Sequence, residues 1–187
     1  MKSYGIDKIT SELNEIEQHQ ENILRKGFSI KESFMSKEEC TGFISKILTI
    51  YQRQEKAFGK SHLSKINEVN IARMPYLEDL YLCKLFLSPY ILDVVKSILG
   101  EVFEINLQNA IINKSNKEHH QSSWHRDLPY QNWVISKPIA VNAYFCLTDF
   151  SVETGSTFFL PYSHRFSDFP SKEYAAREKI QIEAPRG

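Results

Sequence analysis

Apolar positions early in the chain repeat at helical steps. Ile9, Leu13, Ile16, Gln20 and Ile23 fall three or four residues apart and trace one face of a helix. Gly27 follows as a C-terminal stop. Phe28 and Ile30 alternate with polar neighbours, as a short strand does. Ser36 and Glu39 have the spacing of a capping box, in which the serine caps the new helix and the glutamate reaches back. That helix turns Phe43, Ile47 and Ile50 or Tyr51 inward. Residues 59–75 carry no clear period. A third helical stretch covers about 80–99 and contains Pro89. Proline is poorly tolerated in a helix interior and well tolerated at its first turn, so the stretch divides into two helices, the second opened by Pro89 and ended by Gly100.

After Gly100 the period changes from helical to alternating. Residues 103–108, 139–147 and 157–160 are strand candidates, and 110–112 is an apolar run. Residues 113–123 form a polar loop, and Glu153 to Ser156 a turn. These elements predict an α+β chain with a helical N-terminal layer over residues 1–100 and a sheet or barrel over 101–187. The 187 residues, 42% hydrophobic and 25% charged, suit one domain with a real core.

Charge adds little direction. Lys plus Arg equals Asp plus Glu, 23 each, so no overall field favours nucleic acid. No apolar run is long enough to span a bilayer, and the N-terminus lacks the pattern of a signal peptide. Cys40, Cys83 and Cys146 are odd in number and not at metal-ligand spacing, which fits reduced thiols in a cytoplasmic protein.

The chemistry concentrates between Ser123 and Asn132. His125 and Asp127 are two apart, so in an extended chain their side chains share a face and can grip one ion. Two histidines and a carboxylate form a facial triad around Fe(II), with the opposite positions open. A lone His-x-Asp arises often by chance, and a surface loop is its bland reading. The same residues also spell a protein kinase catalytic loop, His125-Arg126-Asp127-Leu128 followed by Asn132. Context disfavours that reading. No two glycines before residue 125 lie close enough for a phosphate-covering loop, and the upstream half is helical where a kinase has a small β-lobe.

Three blocks in order resemble the phytanoyl-CoA dioxygenase family, the Fe(II)- and 2-oxoglutarate-dependent oxygenases. They are the helix from Leu87 to Gly100, the metal motif Trp124-His125-Arg126-Asp127, and the segment from Thr154 to Arg165 that includes Pro161-Tyr162-Ser163-His164. The resemblance implies a double-stranded β-helix, a jelly roll, behind the helical layer. It implies Fe(II) held by His125, Asp127 and a second histidine, with 2-oxoglutarate as co-substrate and hydroxylation of a small organic substrate. His164 is the only histidine after His125, and in the family the corresponding histidine usually caps a turn while the ligand comes from a later strand. Residues 183–187 resemble the turn before that strand. The expectation is therefore a barrel short of its last strands, a third ligand absent, His164 a less favoured candidate for it, and impaired turnover.

Gln108, Asn113, Asn142 and Tyr144 stand at positions that approach 2-oxoglutarate in relatives, and ordinary strand polarity is the competing reading for each. Tyr130 and Trp133 line a substrate pocket or pack over the barrel end. Arg126 makes a salt bridge or recognises an acidic substrate. Adjacent His119 and His120 read as a solvated loop. The expected partners are a small-molecule substrate, no nucleic acid and no membrane, with self-association through an open barrel edge. The reading from another class is a non-catalytic relative of the same fold, acting as a binding or assembly domain.

Overall fold

The computed structural model describes residues 12–113, 123–127 and 137–187. Helix α1 (Glu15–Lys26) starts at Asn14, whose side chain accepts from the Glu17 amide while Glu17 accepts from the Asn14 amide. Ile9, assigned to this helix from its spacing, lies outside the described residues. Gly27, at φ 94°, closes α1 in the left-handed conformation. Helix α2 (Lys37–Phe58) is opened by the Ser36–Glu39 capping box and buries Cys40, Phe43, Ile47, Ile50 and Tyr51. A short α3 (Lys60–Lys65) follows. Single 3-10 turns at Pro75–Leu77 and Leu80–Leu82 lead into α4 (Cys83–Phe86). Helix α5 (Pro89–Leu99) has its proline in the first turn, where no amide hydrogen is needed, and Gly100 beyond its end. Helix α1 lies against α5, with Gln20 donating to the Ser97 carbonyl and Tyr90 Oη bonded to His19 Nε2 at 2.6 Å.

The strands are short and antiparallel. β1 (Ile71–Arg73) pairs with β2 (Asn109–Ile111), Ile71 opposite Ile111. β3 (Phe158–Phe159) pairs with β4 (Ile180–Gln181), and a bridge between Phe150 and Ala184 continues that pairing. Helix α6 (Lys172–Glu178), capped by Ser171, separates β3 from β4 in sequence. The core forms where α2 meets β1 and the turns at 80–86: Phe43, Ile47, Ile50, Tyr51, Ala72, Leu82 and Leu85. Burying these side chains removes about 25 cal/mol of unfavourable hydration per Å² of apolar surface, and this holds the helical layer together.

The helix-then-strand order follows the hydropathy pattern, with four corrections. β1 lies in the half expected to be helical, and α6 in the half expected to be strand. Phe28 to Ile30 is not a strand. Residues 103–108 and 139–147 alternate as strands should, yet neither is part of a ladder. Alternation fixes which side chains share a face, but a strand exists only when a neighbour takes its amides and carbonyls. No backbone–backbone hydrogen bond engages residues 101–107 among the described residues, and Val102 and Leu107 are 94% and 55% exposed. Two two-stranded pieces stand where a jelly roll was expected, with no closed barrel among the described residues.

Among the ties between the two halves is a joint at the end of α1. The Tyr162 amide donates to the Lys26 carbonyl at 2.8 Å, and His164 Nε2 donates to the Leu24 carbonyl at 3.2 Å. The other imidazole nitrogen stands where Gly27 lacks a side chain: a Cβ there would meet His164 Nδ1 at 2.6 Å. Gly27→Ala is therefore expected to lower stability by at least about 1–2 kcal/mol, from the positive φ alone. Urea unfolding reads this as a lower midpoint at unchanged slope. Less destabilisation of the Gly27→Ala, His164→Ala double variant than the sum of the singles would confirm the contact.

Candidate metal centre

The segment 123–127 lies clear of helix and ladder, with bends at Ser123 and Asp127. His125 and Asp127 face each other, with His125 Nε2 and Asp127 Oδ1 3.8 Å apart. His125 Nδ1 lies 2.7 Å from the Ser123 carbonyl. A carbonyl only accepts, so Nδ1 carries the hydrogen and Nε2 of the neutral ring keeps its lone pair toward Asp127. Asn142 Nδ2 donates to Asp127 Oδ2 at 2.6 Å, which fixes the carboxylate and leaves Oδ1 on the His125 side. Such outer hydrogen bonds orient metal ligands and set the ring tautomer. Both side chains are open to solvent, 45% and 51% exposed.

The donor set suits a divalent first-row metal: an imidazole nitrogen with its lone pair free and a carboxylate oxygen beside it. Two ligands on one ion, with bonds of about 2.1 Å, stand at most about 4.2 Å apart and about 3 Å apart at a right angle. The observed 3.8 Å lies inside that limit and calls for a small closing movement of the side chains. Among the described residues, no group of three His, Cys, Asp or Glu converges to hold an ion. His164 has one nitrogen on the Leu24 carbonyl and the other against Gly27, at the end of α1.

The co-substrate candidates separate in space. Asn142 is joined to Asp127. Tyr144, on the same face two residues on, has its phenol held above the usual range, by desolvation first and by the Asp127 charge second, although the residue as a whole is 63% exposed. Gln108 turns to the helical layer: its Nε2 donates to the Leu82 carbonyl at 3.3 Å, and its Oε1 is buried without a protein partner. Asn113 donates to the Thr154 carbonyl at 3.3 Å and holds the turn at 151–155. Tyr130, Trp133, His119 and His120 lie outside the described residues. Three further arginines are engaged elsewhere: Arg165 on the Leu24 carbonyl, Arg177 on Glu178, and Arg186 on the Lys37 carbonyl and Thr41.

Arg126 is the residue whose contacts sequence reasoning missed. Its guanidinium donates to three carbonyls in a row, those of Phe166 at 2.6 Å, Ser167 at 3.2 Å and Asp168 at 3.0 Å, and lies 4.7 Å from the centre of the Phe169 ring. Neither a salt bridge nor an open cation is seen there among the described residues. Alternation does place Arg126 on the face opposite its two neighbours, but nothing in the sequence marks residues 166–169 as its partners.

Among the described residues no helix is long and apolar enough to cross a membrane. The chain is 25% identical over 167 residues to an uncharacterized protein of Mycobacterium bovis, and equally to one of Mycobacterium tuberculosis. The matched stretch covers 86% of this chain and 60% of either relative, so the chain spans less than two thirds of their length. No solved structure matches it. The phytanoyl-CoA dioxygenase family matches residues 23–185, a stretch that contains both the helical layer and the His125–Asp127 pair, and the chain belongs to that family.

Proposed function

We propose that this chain contributes the metal-binding part of an Fe(II)- and 2-oxoglutarate-dependent oxygenase that hydroxylates a small organic substrate, and that residues 1–187 act as a single domain. The observation that carries the reading is the His125–Asp127 pair, with Nε2 and Oδ1 3.8 Å apart and each side chain oriented by an outer hydrogen bond. In the family, iron and 2-oxoglutarate together supply the activation of dioxygen. This chain's residues supply position. His125 and Asp127 hold the ion, and Ser123 and Asn142 keep their donor atoms aimed. Tyr144, a phenol protonated at neutral pH, offers an O–H to a co-substrate carboxylate near Asp127.

The test is succinate release from 2-oxoglutarate in the presence of Fe(II) and ascorbate. The 187-residue chain is expected to turn over slowly, because the two ligands that converge among the described residues hold Fe(II) weakly against water. The residual rate should vanish in His125→Ala. Turnover unchanged in that variant would sink the reading. Robust turnover lost in His164→Ala would instead assign His164 to the iron.

A second reading, a binding or assembly domain of the same fold, is favoured by one observation. Residues 101–107 have no backbone partner among the described residues and expose apolar side chains, a surface suited to pairing with another strand. Self-association seen by sedimentation, with no Fe(II)-dependent succinate release, would favour it.

A further inference from the structure

The geometry points to Arg126 as a positioning residue that sets the spacing of His125 and Asp127 by clamping their loop to residues 166–169. The inference rests on the reading of His125 and Asp127 as metal ligands.

Arg126 sits between the two ligands in the chain, and its guanidinium reaches residues 166–169. It is half-buried while both neighbours are exposed. No backbone–backbone hydrogen bond engages residues 123–127 among the described residues. The loop is therefore held by side chains: Asn142 on Asp127, and Arg126 on three consecutive carbonyls with a ring beneath it. Three carbonyl dipoles and the negative face of Phe169 suit a flat, weakly hydrated cation. A lysine ammonium is a point donor on a flexible stem and cannot span the three oxygens as a planar fork does.

The carbonyl cup is anchored in its turn. The Phe166 amide donates to the Ser163 carbonyl at 3.1 Å, and the 3-10 turn Ser163–Arg165 is pinned to the end of α1 through the Tyr162 amide and His164. A path of direct contacts thus runs from α1 through residues 162–169 to Arg126 and the ligand pair. A one-residue step along the chain then fixes both donor groups at once.

Co(II) titration, followed by visible absorption into the millimolar range, tests this on the full chain and on His125→Ala, Arg126→Ala and Arg126→Lys. Arg126 bonds neither ligand side chain, so Arg126→Ala and Arg126→Lys are expected to weaken Co(II) binding by about tenfold, the lower end of the range for losing a direct outer partner of a ligand, while the urea midpoint stays near that of the parent. A purely structural arginine would move the midpoint and leave Co(II) affinity alone, and that result would overturn the inference. Should Arg126→Ala fail to fold, the lysine variant, which keeps the charge, decides alone: parental affinity refutes the clamp, and weakened affinity supports it. If His125→Ala binds Co(II) as the parent does, the ligand reading itself has failed, and Arg126 has no pair to position.

Discussion

Asp127→Ala is expected to weaken divalent metal binding by at least about a hundredfold. Loss of an outer partner alone costs about ten- to a hundredfold, and loss of a coordinating carboxylate removes both a bond and a negative charge. The same result is expected for His125→Ala, because water is a poorer donor than a neutral imidazole held in the right tautomer. Asn142→Ala should fall in the smaller range, since it releases the carboxylate without removing it. Isothermal titration with Mn(II) or Co(II) measures all three. The Asp127 side chain is 51% exposed, so its removal should leave the urea midpoint nearly unchanged. Unaltered affinity in Asp127→Ala, with the fold intact, would show that the ion binds elsewhere.

The largest stability effect is expected in α2. Ile50→Ala should cost about 2–5 kcal/mol, the range for emptying a fully buried aliphatic site. Ile50 is 0% exposed and belongs to the cluster that joins α2 to Ala72 of β1 and to Leu82 and Leu85. The surrounding elements come from three separate parts of the chain and cannot all close on the cavity. A domain of this kind has about 5–15 kcal/mol in total, so the variant stands near the limit of folding. Equilibrium unfolding in urea measures the loss, and a cost under about 1 kcal/mol would show that the core centre lies elsewhere. Ile50→Val should cost only about 0.5–1.5 kcal/mol.

These two regions differ in how much their sequence reveals. The signals for α2 are local. Ser36 and Glu39 lie three apart, and Phe43, Ile47 and Tyr51 lie four apart, so a reader of one segment sees the element and its inner face. Pro89 and Gly100 mark both ends of α5 in the same way. β1 is three residues long and exists because Asn109–Ile111, nearly forty positions later, pairs with it. The alternation at 103–108 and 139–147 is real, but whether such a segment becomes a strand is decided by its neighbours. α6 carries a Ser171 cap and good helix formers, a legible signal that the surrounding strand candidates obscured. At the site, the His-x-Asp spacing and the shared face of Asn142 and Tyr144 were visible. The turning of Gln108 to Leu82 and of Asn113 to Thr154 was not, because each depends on which distant carbonyl the fold brings near.

The joint between α1 and residues 162–165 also bears on the order of folding. His164 meets the Leu24 carbonyl across 140 positions of chain. Closing so long a loop costs entropy before any bond repays it, so contacts of this span form late. During synthesis, α1 leaves the ribosome with its final carbonyls open to water, and about 140 more residues must follow before their protein partners exist. The capping box at Asn14 and the left-handed Gly27 are local, and they favour the helical form of α1 during that interval. The docking of its C-terminal end on residues 162–165 is therefore a closing step, later than its contact with α5, and hydrogen exchange during refolding should find the α2 amides protected before those at the end of α1.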